Sequence, residues 1–214
     1  MSTLPAIVIC TMNARCLAVM KASIAAYVPR EVEVLIFRNV GSSFGEAYNH
    51  GVREAFRAHE SVVVCNDDIV FTPTTWETLA YDVAHLRANI ADLGWVATRS
   101  DYARGGQNIR IGRGQINFLR YESEQHILRA DIIAPICAWI HRDAWIDFPP
   151  INWFSDDVQC LEMKRQHFVS RAYVHHVGSQ TCGQDAKKCM EDAEPWLRAN
   201  RPELHARWYL TNRA

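Results

Sequence analysis

The sequence has no long hydrophobic segment and no bias of charge. No apolar run approaches the roughly 20 residues that a membrane-spanning helix needs, and the N-terminus lacks the charged-then-apolar order of a signal peptide. The formal net charge is −1, so the molecule as a whole has no basic character that would attract nucleic acid. We therefore expect a cytoplasmic protein without a membrane span, in which any preference for nucleic acid is local.

The sequence also lacks a disulfide pattern, internal repeats and low-complexity segments. Its seven cysteines are an odd number and are scattered, which favours reduced thiols. Cys182 and Cys189 have no second close pair beside them, which argues against a zinc knuckle. With 214 residues, of which 49% are hydrophobic, the chain is long enough to bury the core of a single domain.

Short apolar runs alternate with amphipathic segments through the first half of the chain. The pattern predicts strands over 6–10, 33–37, 62–65 and 94–98, and helices over 17–27, 46–59 and 74–90. This order is typical of a doubly wound α/β sheet. The segment 11–16 contains no glycine, which excludes the G-x-G-x-x-G turn of dinucleotide-binding domains.

In the second half, the pattern predicts strands over 132–140 and 168–174 and a helix over 155–164. A helical tail over 195–210, broken at Pro202, follows them. Between these parts, residues 99–129 form a long excursion with four glycines and more basic than acidic residues. Such a loop could bind the phosphates of a donor or of a nucleic acid, or could be a solvated loop with internal ion pairs.

Three polar groups stand at the ends of predicted elements. Asp67 and Asp68 follow a buried strand, where two carboxylates suit a divalent metal that bridges phosphates, although Asn-Asp-Asp is also good turn chemistry. Asp156 and Asp157 follow Ser155, the predicted N-cap of a helix whose dipole would stabilise them. His175 and His176 end the last strand, and because neighbours in a strand point to opposite faces, only one can reach a metal.

The order of five motifs resembles that of the family-2-like glycosyltransferases of the GT-A fold. The motifs are Thr11-Met-Asn-Ala, Ala47-Tyr-Asn-His-Gly51, Asn66-Asp-Asp with Pro73, Trp153-Phe-Ser-Asp-Asp-Val-Gln-Cys-Leu, and His176 to Thr181. The resemblance runs over most of the chain. It implies an α/β, Rossmann-like, mostly parallel sheet flanked by helices in a single domain. Residues 1–98 would bind the nucleotide sugar, and residues 99–214 would bind the acceptor and carry out catalysis.

The resemblance also implies a mechanism. The diphosphate of a nucleoside-diphosphate sugar would be neutralised by Mn²⁺ or Mg²⁺, held by Asp68 and His176, with His175 left as the alternative. Asp157 would be the general base of an inverting transfer to an acceptor hydroxyl. Asp67 would face the ribose or the sugar, and Asp156 would cap the helix or orient the acceptor. The expected substrate-binding residues are Thr11, Asn13, Arg15, Asn39, Asn49, Asp67 and Asp156.

The sequence departs from the family pattern at three positions. Asn66 replaces the first acid of the family's D-x-D, Arg38-Asn39 stand where an acidic residue often reads the base, and Ser43 replaces a frequent glycine. UDP is therefore one candidate among several donor nucleotides. A glycan, a small molecule or a hydroxymethylated base in duplex DNA, bound through residues 99–129, could be the acceptor.

Two other functions fit parts of the pattern. A nucleotidyltransferase shares a doubly wound sheet and metal-binding acids, but its first loop is usually glycine-rich and basic, whereas 11–16 offers only Arg15. A non-catalytic module that binds nucleotide sugars is compatible with Asn66. The presence of Asp68, Asp157 and His176 together favours the enzyme.

Overall fold

The computed structural model describes residues 3–39, 41–100, 126–177 and 186–206, together with the backbone of 108–110 and 116–118. Its strands are β1 (Ala6–Thr11), β2 (Val34–Arg38), β3 (Ser61–Cys65), β4 (Ile69–Phe71), β5 (Leu93–Ser100), β6 (Asn108–Arg110), β7 (Ile116–Phe118), β8 (Leu128–Ala130), β9 (Ile132–Ile133), β10 (Cys137–His141) and β11 (Gln166–His176). Its helices are α1 (Ala14–Tyr27), α2 (Phe44–Ala55), α3 (Thr75–Asn89), α4 (Ser155–Met163), α5 (Ala186–Asn200) and α6 (Pro202–His205), with a 3₁₀ turn at Arg142–Ala144.

One large sheet organises the described part of the molecule, in the order β2-β1-β3-β10-β5-β11-β4, with β8 beside β11. The pairs β1–β2, β1–β3 and β5–β11 are parallel, and β10 is antiparallel to both of its neighbours. Five strands (β1, β2, β3, β5, β11) therefore run one way, while β4, β8 and β10 run the other way. The predicted fold class, a mostly parallel sheet flanked by helices in one domain, is confirmed.

Alternate residues of each central strand face opposite layers of helices, as the two-residue period of a strand requires. On one face, Ile7, Ile9 and Val63 pack with residues of α1 and α3. On the other face, Val8 and Val64 pack with residues of α2 and α4. β3 is buried along its whole length because it lies inside the sheet with helices on both faces.

Several element boundaries differ from the prediction. α2 begins at Phe44 because Ser43 and Glu46 form a reciprocal capping box that satisfies the first turn. The single strand predicted over 132–140 is two strands, of which β9 joins the small sheet β7-β6-β9. α5 begins at Ala186 and continues through Pro195, since burial of Ala193 and Leu197 against α4 outweighs the local signal of the proline.

A fully buried carboxylate shapes the path of β11. Its register with β5 shifts between Val169 and Tyr173. In this bulge, Ser170 Oγ and Arg171 N both donate to Asp82 Oδ2 at 2.8 Å, and the Arg171 guanidinium pairs with Asp82 Oδ1 at 2.5 Å. Asp82 of α3 therefore replaces ladder bonds that are lost in the bulge.

In the described residues, no helix is long and apolar enough to cross a membrane.

Candidate active site

The polar residues predicted to form the site lie at one edge of the sheet. Thr11 ends β1, Asn39 follows β2, Asp67 and Asp68 follow β3, and His176 ends β11. These strands run in the same direction, so their carboxyl ends meet at one edge. β1 has β2 on one side and β3 on the other, which makes the gap between β1 and β3 the topological switch point. Ligands of open α/β sheets bind at this point.

Asp67 closes one wall of this gap. It is 5% exposed, and its Oδ2 accepts hydrogen bonds from Thr11 Oγ1 at 2.7 Å and from the backbone N–H groups of Met12 and Asn13 at 3.2 Å each. Asp67 and Thr11 therefore hold each other and the loop after β1. Their predicted contact with substrate stays a prediction.

Three more of the predicted substrate-binding residues, Asn13, Arg15 and Asn39, lie at the carboxyl ends of β1 and β2. Asn13 is the N-cap of α1, and its Oδ1 accepts from Arg15 N and Cys16 N. Arg15 is exposed in the first turn. Asn39 N donates to Thr11 O at 3.0 Å, and Asn39 Oδ1 accepts from Ser42 N at 3.2 Å, so Asn39 ties the ends of β1 and β2 together.

Asp68 and His176 lie side by side. The antiparallel pairing of β4 with β11 places His176 opposite Ile69, and His176 Nε2 is 3.2 Å from Asp68 Oδ1. Both side chains are buried, with 6% and 7% of their surface exposed, and Val177 N donates to Asp68 O at 3.0 Å. His175 is exposed, as the alternation along a strand requires. The structure thus brings the two predicted metal ligands together from positions 108 residues apart.

The donor set fits a divalent metal. The separation of 3.2 Å suits either a hydrogen bond or two neighbouring ligands of one octahedral ion, whose donors at about 2.1 Å from the metal lie about 3 Å apart. No group of three or more potential ligands was found among the residues that the structure describes. A metal here would take its other ligands from a diphosphate and water, as Mg²⁺ commonly does.

The first turn of α4 carries Asp156 and Asp157. Phe154, at φ 65° and ψ 8°, is the N-cap in place of the predicted Ser155, which is the first helical residue. A left-handed conformation at a residue other than glycine costs roughly 1–2 kcal/mol. Phe154 packs in a cluster that includes Val158 of α4 and Leu197 of α5. This packing offsets the cost of the backbone conformation. Asp157 is 8% exposed.

α4 runs antiparallel to β5, which turns its acidic end toward the site. The Arg165 guanidinium, just after α4, donates to Leu93 O at the start of β5. Six residues earlier, within α4, Gln159 Oε1 accepts from the indole of Trp95 at 2.9 Å. The carboxyl end of β5 therefore lies beside the N-terminal end of α4, which carries Asp156 and Asp157. Both acidic pairs, Asp67/Asp68 and Asp156/Asp157, thus belong to the carboxyl edge of the sheet.

The segment before α4 is docked on α2. Asn49 Nδ2 donates to Phe148 O, and Phe148 N donates to Asn49 Oδ1, each at 2.8 Å. Phe44 N donates to Asn152 Oδ1 at 2.8 Å, and an added Cβ on Gly45 would lie 1.9 Å from Pro149 O. Asn49 therefore anchors the segment before α4 to α2. Its predicted contact with substrate stays a prediction. The Asn-x-Gly spacing on a helix marks Asn49 in the sequence, but the sequence does not show that its partner is Phe148.

Two thiols beside this loop, those of Cys10 and Cys16, have a raised pKa. Burial, and then the charge of Asp67, raises the pKa of Cys10 to about 12. Desolvation, followed by the charges of Asp67 and Asp68, also raises the pKa of Cys16. Burial is the larger cause of both shifts, and the carboxylates of Asp67 and Asp68 add to it. Most of the Arg/Gly-rich segment 99–129 and residues 178–181 of the last motif lie outside the described residues, so the predictions made for them stay predictions.

No protein-family model and no curated protein matches the sequence. Solved structures match in fold. GalNAc-T7, crystallised with UDP, GalNAc and Mn²⁺, has a TM-score of 0.62 at 10% identity, over 81% of this chain and 44% of its own. S. aureus TarS (residues 1–349) has a TM-score of 0.52 at 13% identity, over 88% of this chain and 63% of its own.

The protein A197 from STIV has a TM-score of 0.56 at 11% identity, over 78% of this chain and 81% of its own. The chain thus spans less than two thirds of the first two structures and most of the third. At these identities the likeness is one of fold. The chain has the GT-A fold.

Proposed function

We propose that this protein is a metal-dependent, inverting glycosyltransferase that moves a sugar from a nucleoside-diphosphate sugar to an acceptor hydroxyl. The observation that carries the proposal is the buried pair of Asp68 and His176, 3.2 Å apart at the carboxyl edge of a GT-A sheet. The acidic turn of α4 faces the same edge. GalNAc-T7, which shares the fold, holds UDP and Mn²⁺ in its crystal structure.

Asp68 and His176 would hold Mn²⁺ or Mg²⁺, which neutralises the diphosphate of the leaving group when it is bound. The cap Asn13, the exposed Arg15 and Asn39 line the carboxyl ends of β1 and β2, where the nucleotide would bind. UDP is the first nucleotide to test, because it is the one present in the GalNAc-T7 crystal.

Asp157 would act as the general base. Its carboxylate takes the proton of the acceptor hydroxyl while the acceptor oxygen forms a bond to the anomeric carbon. The bond from that carbon to the diphosphate oxygen breaks, and the nucleoside diphosphate leaves with the electron pair. Asp156, half-buried in the same turn, would orient the acceptor. Residues 1–98 would then serve the donor and residues 99–214 the acceptor and the chemistry.

The acceptor is a glycan or another hydroxyl compound in the simplest form of the proposal. A hydroxymethylated base in duplex DNA remains a second candidate, which depends on the basic segment 99–129. Transfer to hydroxymethylated duplex DNA, compared with transfer to simple glycans under the same conditions, separates the two candidates.

A thermal-shift screen tests the donor site. Nucleotide sugars and free nucleotides are added to the purified protein with and without Mn²⁺, and binding to the folded state raises the melting temperature. We expect a metal-dependent shift with one nucleotide sugar that Asp68→Asn abolishes. Asp192→Asn, an exposed acid on α5, is the matched control and should behave as wild type.

Other outcomes of the screen point elsewhere. A shift with nucleoside triphosphates alone would favour a nucleotidyltransferase. A shift with a nucleotide sugar that is indifferent to both metal and Asp68→Asn would contradict the proposed metal site.

A further inference from the structure

The adjacent acids Asp67 and Asp68 have separate partners. Asp68 faces His176 at 3.2 Å, whereas Asp67 faces the loop that follows β1. We propose that Asp67 is a positioning residue that acts through residues 11–13, and that its charge is not required. This inference rests on the proposed function for its meaning in catalysis, but its structural part can be tested without any ligand.

A single oxygen makes all of the contacts. Asp67 Oδ2 accepts from the Thr11 hydroxyl at 2.7 Å and from the N–H groups of Met12 and Asn13 at 3.2 Å each. Within the described residues no hydrogen bond to the other oxygen, Oδ1, is found. An acceptor at one fixed place is therefore what the loop needs, and an amide oxygen can supply it.

The organisation extends from this oxygen to both neighbouring elements. Asn13, held at its backbone N–H by Asp67, caps α1 by accepting from Arg15 N and Cys16 N. Thr11, held at its hydroxyl, accepts at its carbonyl from Asn39 N at 3.0 Å. The end of β1, the start of α1 and the end of β2 thus depend on one buried acceptor.

Removing the acceptor leaves the loop without support. Thr11 is 7% exposed and Asp67 is 5% exposed, so water has little access to replace the bond that the Thr11 hydroxyl loses. The loop forms the wall of the switch-point gap beside Asp68. A loosened wall would weaken binding of the donor more than it would slow the chemical step, which depends on α4.

The experiment compares Asp67→Asn with Asp67→Ala, and Thr11→Ser with Thr11→Val. Hydrogen–deuterium exchange of the peptide that covers residues 11–16 reports the loop in the protein alone. We expect Asn and Ser to keep wild-type exchange, and Ala and Val to speed it at least about tenfold. In transfer assays, Asp67→Ala and Thr11→Val should raise the KM for the donor about tenfold or more with a smaller change in kcat, while Asp67→Asn and Thr11→Ser stay within a few-fold of wild type.

Two results would overturn the inference. If Asp67→Asn keeps wild-type exchange but loses activity as severely as Asp67→Ala, Asp67 acts through its charge on the donor or metal. If neither Asp67→Ala nor Thr11→Val changes the exchange, the loop does not depend on this carboxylate. A wild-type protein that turns over no nucleotide sugar would defeat the proposed function, while the exchange measurements would still decide the role of Asp67. Thr11→Val keeps the test available if Asp67→Ala does not fold.

Discussion

Asp67, Asp68 and Asp157 are all buried acids at one edge of the sheet, yet each has a different environment. Asp67 holds a loop, Asp68 faces an imidazole, and Asp157 lies in the first turn of α4, where the helix dipole favours a negative charge. Their type and their place at the ends of elements were predictable from the sequence. Their division of labour was not, because it depends on which side chain stands opposite each one.

The proposed base gives a direct prediction at this scale. Asp157→Asn should lower kcat by about 10²–10⁴-fold, because an amide cannot take the proton of the acceptor hydroxyl. The donor-induced rise in melting temperature should remain, since the donor site lies on other residues. Steady-state kinetics and thermal shift on the same preparation measure both.

Asp156→Asn, one residue away in the same turn, is the comparison. It should cost less in kcat, because we assign it to orientation of the acceptor. If Asp157→Asn had the same kcat as wild type, the assignment of Asp157 as the general base would be wrong.

At the scale of elements, α2 acts as a support for the segment that leads into α4. The Ala-x-Asn-x-Gly motif that carried part of the resemblance is explained by packing. Tyr48 donates to Cys65 O at 2.7 Å, Asn49 clamps Phe148, and a Cβ on Gly51 would lie 2.9 Å from both Phe37 and Val8. The motif was visible in the sequence, but its partners lie up to 99 residues away, so its structural role was not.

Asn49→Ala should destabilise the protein by about 2 kcal/mol, because it leaves the N–H and C=O of Phe148 without their partner. It should also lower kcat, since the segment that leads to Asp157 loses its anchor. Urea unfolding and kinetics check the two effects. Glu54→Ala, which removes a partly exposed ion pair between α2 and Arg57 just after it, should do neither. Wild-type stability for Asn49→Ala would show that the clamp contributes nothing.

The bulge in β11 gives a second prediction for an element. Asp82→Asn breaks the pair of a fully buried carboxylate with Arg171, whose side chain is 37% exposed. Breaking a buried pair by changing one partner costs about 3 kcal/mol or more, and the exposure of Arg171 places this site at the lower end. The urea midpoint should fall accordingly, and Glu77→Gln, exposed on the same helix, should leave it unchanged. A loss below about 1 kcal/mol would mean that the amide supports the bulge equally well.

At the scale of the whole molecule, the functional edge is assembled from strands far apart in the chain. β10 returns through the middle of the sheet, and β11 then runs beside β5 and ends next to β4. The alternation of strands and helices in the first half was predictable from its hydrophobic pattern. The insertion of an antiparallel strand between β3 and β5 was not, because period and composition do not encode the neighbour of a strand.

A histidine at the opposite edge makes stability depend on pH. Burial, and then the nearby charge of Arg87, lowers the pKa of His141 to about 4 from its ordinary value of 6.5. The unfolded chain therefore binds a proton at a higher pH than the folded one, and stability falls as the pH is lowered from about 6.5 toward 4. His141→Gln should make that fall shallower in urea unfolding across this range.

The control is His85→Gln, an exposed histidine of α3. It should keep the wild-type slope of stability against pH. The same slope in His141→Gln and in wild type would show that His141 does not cause the loss.

The sequence by itself determined the alternation of strands and helices, the GT-A resemblance, and the acids and histidine at the ends of elements, because periodicity and residue chemistry are local properties. The tertiary structure alone decided the partners. Asp67 meets Thr11 across 56 residues, Asn49 meets Phe148 across 99, and His176 meets Asp68 across 108. A buried polar group must find a partner wherever the fold places one. The partner of each side chain, which distinguishes a proposed metal ligand such as Asp68 from a supporting residue such as Asp67, therefore exists only in the folded molecule.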